Sequence, residues 1–346
     1  MKLNRRSIGL FAAATSILLV ATSLVAWGPL AGSLTPHSSS TPVAVPAPSS
    51  TSSPTPSATP TASPPPTAIL TAPSSTPSSS AVLVGAGDIC QVIAMDNARR
   101  SATLIEALPS AGVFTLGDNS NDSGTASQYE TCYGNTWGAF KSRTRPTVGN
   151  HDYLTSDGAP YYTYFGSAAG PAGKGYYSYG LPANWHVIVL NAICAEVGGC
   201  ETGSPQETWL RADLAANPGE HVIAMWHIPR FSSGVHGSST NYQIWWEDLY
   251  AAHAEIVLNG HDHEYERFAP QSPTGRADAK GIREFVVGTG GAVLAPFHIV
   301  RANSEVRGSG TYGVLKLTLT DHNYAWQFIP VAGGSFTDSG ETATHT

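Results

Sequence analysis

The sequence predicts an α/β (α+β) domain in four layers, two mixed β-sheets packed together and flanked by helices. Three features carry that expectation. Short apolar runs end in Gly-Asp at "AVLVGAGD" (81–88) and "AGVFTLGD" (111–118), with a helical stretch between them. Strand, helix, strand of this length is a βαβ unit with parallel strands. Three later runs share the design: "RPTVGNHD" (145–152), "HVIAMWHIP" (221–229) and "AEIVLNGHDH" (254–263). Finally, "GYYSYG" and "NWHVIVLNA" alternate like an antiparallel hairpin, and the C-terminal part is strand after strand, so both sheets should be mixed.

The first helix is predicted in "AMDNARRSATLIEAL", where Leu104, Ile105 and Leu108 continue one apolar face. A second is predicted in "SPQETWLRADLAA", which opens on Ser204 and Glu207 at the spacing of a capping box. Strands follow at "IREFVVGTGG", "YGVLKLTL" and "NYAWQFIP". "GTGG" lacks the Gly-Lys-Ser/Thr of a P-loop and reads as a tight strand end. There is no Gly-x-Ser-x-Gly nucleophile elbow and no internal repeat.

Ahead of this domain, residues 1–32 read as a signal peptide or an N-terminal membrane anchor. "MKLNRR" is basic and residues 8–32 carry no charge, which is the logic of export. No cysteine lies near the end of the run, so a lipid-anchored cysteine is excluded. Residues 33–80 are almost wholly Ser, Thr, Pro and Ala, with no Lys, Arg, Asp or Glu, and read as a disordered, proline-stiffened linker. The folded unit is then 81–346, outside the cytoplasm, either secreted or tethered at the cell surface through residues 8–32. The formal charge is −7 for the chain, and falls to −10 without Lys2, Arg5 and Arg6. That excludes a nucleic-acid-binding surface of the broad basic kind. It does not exclude anionic substrates, because a bound cation supplies local positive charge. The four cysteines sit in the exported part, where disulfides form. Three connectivities exist; the "AEVGG" loop favours Cys194 with Cys200, which leaves Cys90 with Cys132.

Ligands of α/β sheets gather beyond the carboxyl ends of the parallel strands. There the five runs deliver Asp88, Asp118, Asn150, His151, His227, His261 and His263. Each alone has a plain structural reading: Asp after Gly is turn chemistry, and a lone His is usually a satisfied core or surface residue. Their joint arrival where strands stop is not explained that way. Oxygen and nitrogen ligands without thiolate suit zinc, manganese, iron or magnesium-like ions, and these are too many for one ion. Alternate residues of an extended chain lie about 6.5 Å apart on one side. His261 and His263 of "LNGHDHEYER" therefore reach separate ions, about 3.5–4 Å apart, with a carboxylate bridging them.

In this order, "GD…GDN…GNHD…WH…GHDH" resembles the calcineurin-like metallophosphoesterases, and the tail "GHDHEYER" is similar to the "GHxHxYER" of their purple acid phosphatase branch. The likeness spans about residues 82–330. It implies a metallophosphoesterase-like fold and two divalent or trivalent ions of the iron, zinc or manganese kind. Asp88 and His263 would hold the first, Asp118 would bridge, and Asn150, His227 and His261 would hold the second. His151 would lie outside the ligands, oriented by Asp152 and close to the leaving-group oxygen. His236 of "FSSGVHGSS" would line the substrate pocket; an ordinary loop histidine is the alternative. Glu264, Tyr265, Glu266 and Arg267 would support the histidine loop.

The activity so implied is exported hydrolysis of small phosphate monoesters. The nucleophile would be a metal-bridging hydroxide, and His151 or His236 would protonate the leaving oxygen. A phosphodiesterase or nucleotidase of the same fold is the alternative, as is a tethered surface protein that binds phosphate ligands without turnover. Two residues depart from the pattern. Asn121 stands where the branch has an iron-binding tyrosine, which implies no purple colour and fewer protein ligands for the first ion. Cys90 stands where many members have the His of Asp-x-His, so a thiolate ligand competes with the disulfide to Cys132.

Overall fold

The structure, a computed structural model, describes residues 79–345. The expected leader at 1–32 and all but the end of the expected linker at 33–80 lie outside the described residues. Among the described residues no helix is long and apolar enough to cross a membrane.

The chain runs β1 (Ala81–Ala86), α1 (Met95–Glu106), β2 (Gly112–Thr115), α2 (Ala126–Gln128), β3 (Thr144–Arg145), α3 (Ala159–Phe165), β4 (Tyr177–Leu181) and β5 (Trp185–Val189). It continues through α4 (Pro205–Ala216), β6 (His221–Met225), α5 (Gln243–Ala251), β7 (Ile256–Asn259), β8 (Tyr265–Phe268) and β9 (Arg283–Val287). It closes with β10 (Ser304–Gly308), β11 (Gly313–Leu319), β12 (Asn323–Pro330) and β13 (Asp338–Ala343). One sheet has the order β13-β12-β11-β1-β2-β3, the other β10-β8-β9-β7-β6-β5-β4. In the first, β1, β2 and β3 are parallel; in the second, β5, β6, β7 and β9 are parallel. The expected fold class is the one observed.

Alternation along the strands makes the layers. Val187, Val189, Ile223, Met225, Ile256 and Leu258 join Leu83, Val113, Leu315 and Leu317 in one core. Their neighbours Ile188, Leu190, Val222, Ala224 and Val257 point the other way, under Leu210 of α4 and Trp245, Trp246 and Leu249 of α5. Each such side chain removed from water contributes about 1.5–3 kcal/mol. Beside the six-stranded sheet, α1 packs on β11, and Trp137 Nε1 donates to Ser101 Oγ of α1 at 3.0 Å.

The third strand is shorter than the sequence implied. Only Thr144 and Arg145 pair as a strand, because Pro146 has no N–H to give. Thr147 N–H still reaches the Thr115 carbonyl at 3.2 Å, and the chain then curls into a single turn at His151–Tyr153. The capping box of α4 is half formed. Ser204 Oγ accepts from Glu207 N–H at 3.3 Å, but the Glu207 carboxylate takes Gly203 N–H at 2.8 Å instead of closing on Ser204. Both disulfides, Cys90–Cys132 and Cys194–Cys200, are as expected. Cys90 is therefore no thiolate ligand.

Candidate metal centre

The carboxyl ends of β1 and β2 in one sheet meet those of β6 and β7 in the other. Asp88, Asp118 and His261 each sit just past a strand with positive φ, 57°, 49° and 70°. Left-handed backbone costs a non-glycine residue roughly 1–3 kcal/mol. Here it turns the three side chains back across the strand ends. Gly149 lets the third segment close in, since a Cβ there would stand 2.1 Å from Asp118 Oδ1.

Asp88 and His263 pair at 3.2 Å, Oδ1 to Nε2, and Asp88 Oδ2 accepts His261 N–H at 2.8 Å. Asp118 Oδ2 lies 3.4 Å from His227 Nε2, and its Oδ1 accepts His151 N–H at 2.8 Å. Asn150 Oδ1 is 3.1 Å from His227 Nε2, and His261 Nδ1 is 3.2 Å from the same nitrogen. Ligand atoms of Asp88, Asp118 and His227 all lie within 4.8 Å of one another. The six expected ligands thus stand together. His261 and His263 do part company, one toward His227 and one toward Asp88. The turn at His261 separates them, where the sequence reading took an extended strand tip.

The electrostatics fit a cation. Burial works against charge on His227 and His263, yet the Asp118 and Asp88 carboxylates outweigh it and lift both imidazoles to about 9. Burial and then the charge on His227 push His261 down to about 2. Asp118 is held below its usual range although burial opposes this, because His227 and His151 favour its charge. The two buried carboxylates thus favour positive charge beside them, which metal ions supply. The orientation of the rings fits too. His227 Nδ1 donates to the Leu116 carbonyl at 2.7 Å and His263 Nδ1 to the Val293 carbonyl at 2.8 Å. Each Nε2 is left facing a carboxylate, the arrangement of metal-ligating histidines.

Asp152 does not orient His151. Its buried carboxylate accepts Gly149 N–H at 2.9 Å, Asn119 Nδ2 at 3.0 Å and the Tyr129 hydroxyl at 2.5 Å. It ties the loops after β2 and β3 together. The His151 ring is held instead by the Asp122 carbonyl at 3.1 Å, with Nε2 3.8 Å from Asp118. Burial, then Asp118, raise Asp152 above the usual carboxylate range. The exposed His236 ring lies over His261, centroids 4.4 Å apart.

Four residues have roles in the centre that the sequence did not assign. Asn121 Nδ2 donates to Asp118 at 3.1 Å and to Asp88 at 3.4 Å, spanning both carboxylates. The Leu116 and Val293 carbonyls carry no side-chain signature. Asp262 accepts His236 N–H at 2.9 Å and holds Ser232 Oγ; its place between His261 and His263, facing the other way, was the available signal.

Residues 83–265 match the family described as calcineurin-like phosphoesterase, more than half of the 346 residues. Purple acid phosphatase 18 of Arabidopsis thaliana is 30% identical over 122 residues, 34% of this chain and 26% of that protein. Probable inactive purple acid phosphatase 1 of the same plant is 33% identical over 95 residues, 25% of this chain and 16% of that protein. The chain thus spans about a quarter or less of the length of these curated relatives. Among solved structures, purple acid phosphatase PPD1 from yellow lupin (Lupinus luteus) seeds has a TM-score of 0.60 at 21% identity, covering 77% of this chain and 54% of that one. GAP50, the anchor in the inner membrane complex of Plasmodium, has a TM-score of 0.61 at 13% identity, covering 77% and 90%. These two likenesses are of fold. On the family match and the fold together, the chain belongs to the calcineurin-like phosphoesterases, and its likeness within them runs to the purple acid phosphatases.

Proposed function

We propose that residues 81–346 form an exported, metal-dependent phosphoesterase acting on small phosphate monoesters, with 1–32 as export signal or anchor and 33–80 as tether. One observation carries this reading: Asp88, Asp118 and His227 converge within 4.8 Å where two sheets meet. Asp88 and His263 would hold one ion, Asn150, His227 and His261 another, with Asp118 between them; iron, zinc and manganese suit such donors. When bound, such ions supply Lewis acidity toward water and toward phosphoryl oxygens.

The chain's own residues do the positioning. The Leu116 and Val293 carbonyls fix the tautomers of His227 and His263, so both Nε2 atoms face inward. His151, half-buried beside Asp118 but tied by its ring to the Asp122 carbonyl, is free of the ligand set and is the proton donor to the leaving alkoxide. Asp152 keeps the loops bearing Asp118 and His151 in register. His236 forms the pocket wall over His261.

The test is hydrolysis of para-nitrophenyl phosphate against its bis ester, with zinc or manganese added and chelator as control. Faster turnover of the monoester supports the proposal, and preference for the bis ester makes the protein a diesterase. A second reading, phosphate binding without turnover, draws on Asn121 in the tyrosine's place and on the likeness to a plant protein named as probably inactive. Absence of turnover with every metal and both esters, while phosphate still binds, would favour it.

A further inference from the structure

Among the described residues seven large apolar side chains are exposed, and all seven lie on segments tied to the loops of the metal centre. Their places follow from hydrogen bonds. Val293, whose carbonyl holds His263, donates its N–H to Gln91 Oε1 at 3.0 Å, beside Val92 and Ile93. Val92 N–H donates to Asp122 Oδ2 at 2.8 Å, and the Asp122 carbonyl holds the His151 ring. Leu154 N–H donates to the His151 carbonyl at 3.2 Å. On the other flank Val235 precedes His236, whose ring covers His261. Ser233 of the same loop takes His298 N–H on its carbonyl at 2.8 Å and Arg301 N–H on Oγ at 2.9 Å, which pins Ile299 and Val300 there. Ile93 is 83% exposed and Ile299 54%. Single exposed aliphatic residues scattered over a surface need no cause; their confinement to one rim does.

We propose that this rim receives the apolar part of the ester's leaving group, so that the preferred substrates are phosphate esters of aliphatic alcohols several methylenes long. The proposal rests on the phosphoesterase reading and names its substrate class. None of the seven side chains is aromatic, so the seven favour an aliphatic chain over a stacked nucleobase and form no interfacial aromatic belt for a bilayer. The excess of acidic residues in the domain also opposes docking on an anionic membrane. In the reaction water gives its oxygen to phosphorus, the P–O bond to the alcohol breaks, and the alkoxide leaves with a proton while its chain lies on the rim.

The experiment uses the full chain loaded with zinc or manganese. Binding of ethylphosphonate and decylphosphonate is measured by calorimetry, and kcat/KM is measured for ethyl and decyl phosphate below their micellar concentrations. The longer chain should be favoured about 10- to 100-fold in both readouts, since each methylene removed from water adds up to about fourfold. In I93S/I299S the decyl-to-ethyl ratio should fall by about fivefold or more, on the same scale. Turnover of ethyl phosphate with no gain from chain length overturns the proposal alone. So does a ratio untouched in I93S/I299S, and so does a variant that loses only its affinity for neutral phosphatidylcholine vesicles. Binding that scales with chain length in a protein that turns over neither ester supports the rim and overturns the catalytic reading beneath it.

Discussion

His227 and His261 face each other ring nitrogen to ring nitrogen, Nε2 to Nδ1, at 3.2 Å. His227 cannot turn away, because its Nδ1 is spent on the Leu116 carbonyl. Two lone pairs so aimed need a proton or a cation between them. Added zinc or manganese should therefore stabilise the fold, by about 2.7 kcal/mol at a hundredfold excess over the dissociation constant. Scanning calorimetry with metal and with chelator checks this; an unfolding temperature indifferent to both would sink the metal centre.

Loss of a ligand and loss of the proton donor should differ. His227→Ala should bind less metal and lose nearly all turnover. His151→Ala should keep its metal content and lose about 10²–10⁴-fold in kcat. Elemental analysis beside the assay separates the two, and metal loss in His151→Ala would move that residue into the ligand set.

Asn121→Leu removes the one amide that bridges Asp88 and Asp118. It leaves two buried carboxylates short of a donor, a cost of about 1–3 kcal/mol. The loss should be large in chelator and smaller with metal, which neutralises the same oxygens. Urea unfolding under both conditions measures it; an equal loss in each would remove Asn121 from the centre's charge balance.

Away from the centre, Glu255 is buried below β7 between His221 and His345. Burial raises its carboxyl from 4.5 to about 7, against the pull of the His345 N–H. The folded state thus keeps this proton to higher pH than the unfolded chain does. The stability it contributes is present below about 4.5 and is lost as pH climbs to about 7. His345, held below the usual imidazole range by burial, works in the opposite sense. The readout is therefore the difference between wild type and Glu255→Gln, which should widen in the variant's favour from pH 4.5 to 7. A pH-independent difference refutes the assignment.

Cys90–Cys132 ties the loop just past Asp88 to the segment after α2, 42 residues on. Cys90→Ala/Cys132→Ala should lose about 2–4 kcal/mol of stability. Denaturant midpoints compare the two proteins, and an unchanged midpoint would mean the loop is held by its other contacts.

By itself the sequence determined the strand ends and what stands on them. Apolar runs stopping at Gly-Asp, Gly-Asn-His-Asp and Gly-His-Asp-His carry a periodicity that survives in any fold built from them. Hence the mixed sheets, α1, α4, both disulfides and the grouping of Asp88, Asp118, Asn150, His227, His261 and His263 were legible. What the tertiary structure alone decided were contacts between segments remote in sequence. α5 hid in "IWWEDLY", whose Ile, Trp and Tyr residues favour strands. The Asp152 carboxylate turned to Tyr129 and to backbone amides, where proximity in sequence had assigned it to His151. The carbonyls of Leu116 and Val293 orient two rings with a group every residue possesses. The aliphatic rim is assembled from four connections between elements, and exposure is a property of the packed chain that no residue carries alone.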